Sequence, residues 1–256
     1  MAKMYLADLV CKKQLTQDIF LFSVKAEELS KEVKPGHFLE IRVTDQVEPF
    51  LRRPISIYEV EEEKGTVSFL FQVKGKGTKI LSQKQEGDKI DLLGPLGNGT
   101  FEYGRYSNIA ILGGGIGIFP LYELAKRAKE NKINVSTYLG FQTKKRVILE
   151  QEFQTVSDTL VITTDDGSYG EKGFAIDQLK KQKGYDCIYA CGPLPMLKAV
   201  KQYAVEEKIP CQISLEERMG CGLGACLGCA IKVAGKEEYW HVCKAGPVFD
   251  AKLIEI

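Results

Sequence analysis

The sequence predicts three successive regions: an antiparallel β-barrel, an α/β domain with a parallel sheet, and a small cysteine-rich module. Short runs of β-branched and aromatic residues fill the first hundred positions. Strands then alternate with segments of helical spacing, which is typical of βαβ units. Four of the eight cysteines fall within the last 36 residues. We place the domain limits at residues 1–103, 104–214 and 215–256.

Six short candidate strands make up the β-region. Glycine or proline separates them, as at Pro35-Gly36 and Gly94-Pro95. Strands of this length and spacing favour a small antiparallel barrel. The candidates are residues 4–10, 19–24, 38–43, 55–60, 66–73 and 89–93, with one short helix predicted at 78–83.

The α/β region begins near Tyr106. Because predicted strands and helices alternate from there, we expect a parallel sheet that binds ligands beyond the carboxyl ends of its strands. The predicted strands are 108–112, 135–140, 160–164, 187–191 and 211–215, and the predicted helices are 121–131, 174–182 and 194–207.

Composition limits the partners and the location that we expect. The 256 residues are 44% apolar and 27% charged, with a net charge of +1, so no charge excess points to nucleic acid or an anionic membrane. The longest apolar run, residues 109–122, is too short and too rich in glycine to span a bilayer. Asp8 stands where a signal peptide would need its apolar stretch. We therefore expect a cytoplasmic protein with neither nucleic-acid nor membrane partners.

The cysteine-rich tail is too short for a hydrophobic core of its own, so we expect bonds made by its cysteines to hold it in its fold. Their spacing is C-x4-C-x2-C-x13-C, and C-x4-C-x2-C with a distant fourth cysteine is the ligand spacing of plant-type [2Fe–2S] clusters. Gly222, Gly224 and Gly228 permit the backbone angles that turn N–H groups towards anionic sulfur. The predicted iron ligands are Cys221, Cys226, Cys229 and Cys243.

Other interpretations fit the tail less well. Zinc sites with four cysteines usually contain two C-x2-C pairs, and here only Cys226 and Cys229 form one. A Rieske centre needs two histidines, whereas this chain has only His37, in the β-region, and His241. A disulfide framework is the weaker alternative in a chain expected to be cytoplasmic. We expect His241 to lie near the cluster without binding it.

A glycine-rich turn at Gly113, Gly114, Gly115 and Gly117, followed by Pro120, is a candidate nucleotide site. Backbone amides at such a turn can approach a pyrophosphate at the positive end of a helix. The dinucleotide fingerprint G-x-G-x-x-G fails at its third glycine, so a plain tight turn stays equally open. The basic stretch 144–146 could bind a 2′-phosphate or could be solvated, which leaves NAD and NADP both open.

A further segment, Arg52-Arg53-Pro54-Ile55-Ser56-Ile57, resembles the flavin motif of the ferredoxin–NADP reductase superfamily. In that family the arginine pairs with the flavin pyrophosphate, for which a planar guanidinium is suited, and the hydroxyl approaches the isoalloxazine ring. Other segments resemble family motifs in the family's order: Leu70-Phe71-Gln72, Gly75-Lys76-Gly77-Thr78, Gly94-Pro95-Leu96-Gly97, the glycine turn at 113–120, and Cys191-Gly192-Pro193. In the family, the cysteine of the last motif lies near the nicotinamide.

This resemblance implies cofactor contacts and no catalytic side chain, since hydride transfer to or from flavin needs no general base. The implied FAD contacts are Arg53, Pro54, Ile55, Ser56, Leu70, Phe71, Gln72, Gly77 and Thr78. The implied NAD contacts are Gly113, Gly114, Gly115, Gly117, Cys191, Gly192 and Pro193.

With the cysteine tail included, nearly the full chain resembles the electron-transfer subunits of NAD-dependent, B-type dihydroorotate dehydrogenases. The resemblance implies FAD, one [2Fe–2S] cluster, NAD rather than NADP, and a separate FMN-containing catalytic subunit in a heterotetramer of two plus two. The implied electron path in pyrimidine biosynthesis runs from dihydroorotate through the partner's FMN, the cluster and FAD to NAD⁺. Three alternatives stay open: a reductase serving an oxygenase or soluble carrier, a subunit of a hydrogenase or transhydrogenase, and a zinc-stapled binding module.

Overall fold

The first hundred residues fold into a closed barrel whose apolar side chains alternate inward. In this computed structural model, which describes residues 2–256, the barrel strands are β1 (Lys3–Gln14), β2 (Ile19–Lys25), β3 (Phe38–Arg42), β4 (Arg53–Glu61), β5 (Thr66–Gln72) and β6 (Lys89–Leu96). They close in the order β1-β2-β5-β4-β3-β6, with antiparallel pairing throughout. Phe22, Phe69 and Phe71 meet at the centre, with ring centroids 5.1–6.5 Å apart. The predicted six-stranded barrel is confirmed.

Two short helices accompany the barrel, α1 (Glu27–Glu32) and α2 (Lys76–Leu81). The sequence predicts the second at 78–83, two residues later than it occurs. It does not predict the first, because a six-residue helix with one buried apolar side chain, Leu29, shows no helical periodicity.

The α/β region forms a seven-stranded sheet in the order β10-β9-β8-β7-β11-β12-β15. The strands up to β12 pair in parallel, as predicted. The sheet strands are β7 (Asn108–Gly114), β8 (Asn134–Phe141), β9 (Thr159–Thr164), β10 (Glu171–Lys172), β11 (Cys187–Cys191), β12 (Cys211–Ser214) and β15 (Val248–Asp250), and a separate two-stranded sheet contains β13 (Ala230–Lys232) and β14 (Tyr239–His241).

The remaining helices are α3 (Phe119–Glu130), α4 (Glu150–Val156), α5 (Ala175–Leu179), α6 (Leu194–Glu206) and α7 (Val242–Ala245). Helices α3, α5 and α6 correspond to the three predicted ones. Among residues 2–256, no helix has the length and apolar composition needed to cross a membrane.

Strand order places a switch in chain direction beside β7. After β7 the chain adds β8 and β9 on one side, and later β11 and β12 on the other. Open α/β sheets bind ligands at the carboxyl ends of the strands beside such a switch. Gly113 on β7 is paired there with Cys191 on β11, so two of the predicted nicotinamide segments end side by side.

Residue contacts divide the chain into two units, and the C-terminal segment contributes to both. The barrel unit contains residues up to Thr100 together with Glu216–Ala230 and His241–Pro247. The sheet unit contains Phe101–Leu215, Ile231–Trp240 and Val248–Ile256. The four tail cysteines therefore belong with the barrel, whereas β15 belongs with the sheet. The predicted limits of three separate domains stay a prediction.

Candidate functional site

The four tail cysteines come together around one loop of the barrel unit, residues 220–229, which we call the cysteine loop. Backbone hydrogen bonds to sulfur join them in two pairs: the N–H of Cys226 donates to Cys221 Sγ at 3.4 Å, and the N–H of Cys243 donates to Cys229 Sγ at 3.5 Å. The backbone N–H of Gly224, within the loop, donates to Cys243 Sγ at 3.1 Å and so links the two pairs. Residues separated by 22 positions thus lie around one centre.

Backbone N–H groups of the cysteine loop point at sulfur. Those of Leu223, Ala225 and Cys226 all donate to Cys221 Sγ, at 3.3–3.4 Å. Desolvation opposes ionisation of Cys221, but these donors outweigh it and lower the pKa of the thiol to about 6. Burial, with a contribution from the Cys229 thiol, instead raises the pKa of Cys243 to about 12. An N–H cradle that stabilises one thiolate fits an anionic iron–sulfur group.

The two cysteine pairs bear on the kind of metal centre. A [2Fe–2S] cluster divides four thiolates between two irons, and two separate cysteine pairs fit that division.

Glu40 lies beneath the cysteine loop and was not among the residues predicted from the sequence. It is fully buried, and a Cβ added to Gly222, whose φ is +68°, would stand 2.6 Å from the Glu40 Cγ. Neither carboxyl oxygen has a hydrogen-bond partner among the described residues. Burial raises the pKa of Glu40 to about 7 against the attraction of Arg52. No local pattern signals this burial, because Gly222 is distant in the sequence.

The two adjacent arginines of the flavin motif have different surroundings. Arg52 forms an ion pair with Asp91 at 2.8 Å and donates to the Glu40 carbonyl. The Arg53 guanidinium packs on Gly77, where an added Cβ would lie 2.6 Å from its Cζ. The structure therefore brings together Arg53 and the predicted second phosphate loop, and a side chain at Gly77 would shift the guanidinium from this position.

Other predicted FAD contacts differ in which way they face. The Phe71 side chain belongs to the barrel core, so only its backbone is available to a ligand. Gln72 donates to Asp18 at 2.6 Å, and the Thr78 hydroxyl accepts the N–H groups of Lys74 and Gly75. Pro54, Ile55 and Ser56 are half-buried on β4, and Leu70 is buried on β5. The role of each as an FAD contact stays a prediction.

The glycine turn of the sheet unit packs closely on the C-G-P segment. A Cβ added to Gly117 would lie 2.5 Å from the Gly192 Cα, and one added to Gly114 would lie 2.8 Å from the Pro193 Cδ. Gly115, with φ +56°, has nothing within 4 Å of its Cβ position. The turn is thus packed on one side and open at Gly115, as a backbone that approaches a ligand must be.

The first lysine of the basic stretch 144–146 already has intramolecular contacts. The backbone N–H of Lys144 donates to the Ser168 hydroxyl at 2.8 Å. Its ammonium group lies 5.3 Å from the centre of the Tyr169 ring. The Lys144 side chain stays exposed, as do those of Lys145 and Arg146.

Three family models match successive parts of the chain. Residues 6–103 match an oxidoreductase FAD-binding domain and residues 111–202 an oxidoreductase NAD-binding domain. Residues 216–255 match the iron–sulfur cluster binding domain of dihydroorotate dehydrogenase B.

Curated relatives match over the full length. Dihydroorotate dehydrogenase B (NAD(+)), electron transfer subunit, from Bacillus pumilus is 41% identical over 100% of this chain and 99% of its own. The chain belongs to this family. The subunit of the same name from Bacillus velezensis is 43% identical over 95% of each chain. As a member of the dihydroorotate dehydrogenase B family, the chain is an oxidoreductase subunit with FAD-binding, NAD-binding and iron–sulfur domains.

Solved structures agree with the fold. The structure described as the NADH-dependent reduced ferredoxin–NADP oxidoreductase, studied for flavin-based electron bifurcation, is 37% identical with a TM-score of 0.87, over 98% of this chain and 90% of that one. The cytochrome b5 reductase domain of Ulva prolifera nitrate reductase is 21% identical with a TM-score of 0.67, over 81% of this chain and 94% of that one. The second likeness shows the fold alone.

Proposed function

We propose that this chain carries electrons from dihydroorotate oxidation, performed on an FMN-containing catalytic subunit, through a [2Fe–2S] cluster and FAD to NAD⁺. The observation that carries the proposal is the full-length match to dihydroorotate dehydrogenase B electron transfer subunits, which includes the cysteine tail. Bound FAD would supply the exchange between two-electron hydride chemistry and one-electron transfer. The chain's own residues bind and orient these groups.

The cysteine loop would hold the cluster. One cysteine pair, Cys221 with Cys226, would ligate one iron, and Cys229 with Cys243 would ligate the other. The observed N–H donors to Cys221 Sγ support this assignment, because they favour the thiolate that iron requires. Cluster ligation would also stabilise the fold of the tail, which has no hydrophobic core of its own.

The barrel would hold FAD and the sheet unit NAD. Arg53, supported on Gly77, would pair with the pyrophosphate of FAD, since Arg52 is already paired with Asp91. The open backbone at Gly115 would admit the pyrophosphate of NAD. The name of the curated relatives, dihydroorotate dehydrogenase B (NAD(+)), supports NAD over NADP.

The assembly would contain two chains of each kind, and its location would be cytoplasmic. The relatives' name of electron transfer subunit supports a separate catalytic partner. A reducing compartment would keep the four tail thiols available for iron.

Co-purification tests the function. The tagged chain, expressed at native level in its own cell, should bring down a second, FMN-containing chain, and the complex should reduce NAD⁺ with dihydroorotate. The alternative function to test against is that of the solved NADH-dependent reduced ferredoxin–NADP oxidoreductase, which is 37% identical to this chain. Recovery of a ferredoxin- and NADP-dependent partner in place of the dihydroorotate-oxidising one would reject the proposal.

A further inference from the structure

The loop between strands β3 and β4, residues 43–52, exposes three apolar side chains. Val47, Phe50 and Leu51 are 83%, 84% and 47% exposed. Within the described part of the barrel unit, Phe50 is the only exposed aromatic residue, since every other phenylalanine and tyrosine there is buried or half-buried. Exposed apolar residues so close together form a patch, which is typical of a binding site. We call residues 43–52 the β3–β4 loop.

The β3–β4 loop lies beside the predicted second phosphate loop, residues 75–78. The Lys76 ammonium forms an ion pair with Glu48 at 3.1 Å. Arg53 Nη1 donates to the carbonyl of Leu51, and the same guanidinium packs on Gly77. The proposed pyrophosphate ligand, Arg53, is therefore in contact with the β3–β4 loop as well as with the start of α2.

The proposed flavin contacts give FAD a direction on the barrel. In FAD the pyrophosphate joins the flavin half to the adenosine half. Ser56, which would approach the flavin ring, and Arg53, which would pair with the pyrophosphate, both lie on β4. A dinucleotide that runs along β4 from Ser56 to Arg53 continues towards the β3–β4 loop. Phe50 precedes Arg53 by three residues, so their Cα atoms are at most about 11 Å apart, and their side chains can contact adjoining parts of one ligand.

The residues of the β3–β4 loop suit adenosine better than a further phosphate. Asp45 and Glu48 are exposed acidic residues, and like charges disfavour an additional anionic group on the loop. The adenine ring is uncharged and has a π-face that stacks on an aromatic side chain. Phe50 supplies such a side chain, and the region matched by the FAD-binding family model, residues 6–103, includes it.

We propose that Phe50 stacks on the adenine of FAD, so that the β3–β4 loop is the adenosine site and makes the chain select FAD over FMN. The proposal deepens the proposed function, because it rests on the FAD contacts of Arg53 and Ser56. FMN ends at a single phosphate and has no adenosine, so it cannot make this contact.

The test titrates the full chain, freed of flavin and retaining its cluster, with FAD and separately with FMN. Phe50→Ser should raise the Kd for FAD about 5-fold to 150-fold, as loss of one base–aromatic stack does, and should leave the Kd for FMN unchanged. Phe50→Trp keeps an aromatic face and should bind FAD like wild type. Met4→Ser removes an apolar side chain of similar exposure, 70%, from β1 and is the matched control for both flavins. Because both positions are exposed, the Tm of each variant should stay near that of wild type.

Two results would overturn the adenosine site. One is an unchanged Kd for FAD in Phe50→Ser, and weaker binding of the catalytic subunit by that variant would then assign the loop to the partner. The other is an equal rise in the Kd for FAD and for FMN, which would mean that the loop acts only through Arg53 on the phosphate.

Arg53→Ala separates this proposal from the FAD site on which it rests. It removes a phosphate contact that both flavins share, so it should raise the Kd for FAD and for FMN together. If Arg53→Ala weakens both flavins but Phe50→Ser weakens neither, the adenosine site is wrong and the assignment of Arg53 stands. If neither variant changes either Kd, FAD lies elsewhere and both assignments fail.

Discussion

Neighbouring arginines at the start of β4 carry the same charge but have different contacts. Arg52 is neutralised by Asp91 within the barrel, whereas Arg53 lies against the glycine of a second loop. The motif alone does not separate them, because the separation depends on Asp91 of β6 and Gly77 of α2, which are distant in the sequence. At the scale of the residue, these contacts support the proposal that Arg53 and not Arg52 pairs with the pyrophosphate of FAD.

Replacing Arg53 by alanine should weaken FAD binding selectively. A charge-assisted contact to phosphate contributes about 1.5–3 kcal/mol, so the Kd for FAD should rise about 10-fold to 150-fold. Flavin retained after gel filtration and equilibrium titration of the apoprotein measure the change. Arg42→Ala removes an exposed arginine from β3 and serves as the matched control. Equal FAD affinity of the two variants would contradict the assignment.

The buried side chain of His37 should make the folding stability of the chain depend on pH. Burial, reinforced by nearby Lys34, lowers the pKa of His37 to about 4, and its Nδ1 accepts the N–H of Lys34 at 3.0 Å. The unfolded chain, with a pKa near 6.5, takes up the proton first. Stability is therefore lost as pH falls below about 6.5, by about 1.4 kcal/mol at pH 5.5.

His37→Asn keeps a hydrogen-bond acceptor but does not titrate. Between about pH 8 and pH 5.5, the Tm of wild type should fall about 3–6 °C further than the Tm of this variant. Parallel thermal scans of the two proteins measure the difference. Equal decreases would show that His37 is accessible to protons in the folded chain.

Gly115 and Gly117 illustrate how one loop contains two kinds of glycine. A side chain at Gly117 would collide with the backbone of Gly192 and separate the two segments. A side chain at Gly115 would meet open space, but its φ of +56° is unfavourable for a β-branched residue. The glycine turn is thus held against the C-G-P segment at Gly117, and its backbone is left accessible to a ligand at Gly115.

Gly115→Val should raise the KM for NADH at least about tenfold, because the side chain fills the space through which backbone amides approach the pyrophosphate. FAD and iron content should stay at wild-type values. Gly104→Val, at a position with open space and no positive φ, is the matched control. An unchanged KM for NADH in Gly115→Val would show that the nucleotide does not lie over this turn.

The sequence predicts correctly the strands that carry an apolar pattern in their own residues. The barrel strands and the five parallel strands follow from alternating or continuous apolar runs, and all of them form. Strand β15 is missed because its only signal is its pairing with β12, as in Ile213 with Phe249. Glu40 is missed for the same kind of reason, since its cover comes from Gly222. Helix α4 is too short for its periodicity to be read.

At the scale of the whole molecule, the tail cysteines belong to the barrel unit and the glycine turn to the sheet unit. The chain therefore contains its own predicted sites for nicotinamide, flavin and cluster. We assign dihydroorotate oxidation to the proposed catalytic subunit, because it needs a second flavin and a base. We expect the isolated chain to reduce artificial dyes with NADH and to leave dihydroorotate unoxidised.

From the predicted cluster ligands we can predict which reactions of this chain require the cluster and the catalytic subunit. Cys226→Ser should lower iron and acid-labile sulfide from about two of each per chain to near zero, while Cys11→Ser, a substitution on β1, should keep both.

If electrons from the catalytic subunit must cross the cluster, Cys226→Ser with full FAD should lose NAD⁺ reduction by dihydroorotate when mixed with that subunit. Its reduction of a small dye by NADH should stay within about twofold of wild type, because nicotinamide and flavin alone suffice for it. Undiminished coupled activity without iron would mean that electrons bypass the cysteine loop, and one zinc per chain without sulfide would mean that the loop holds no cluster.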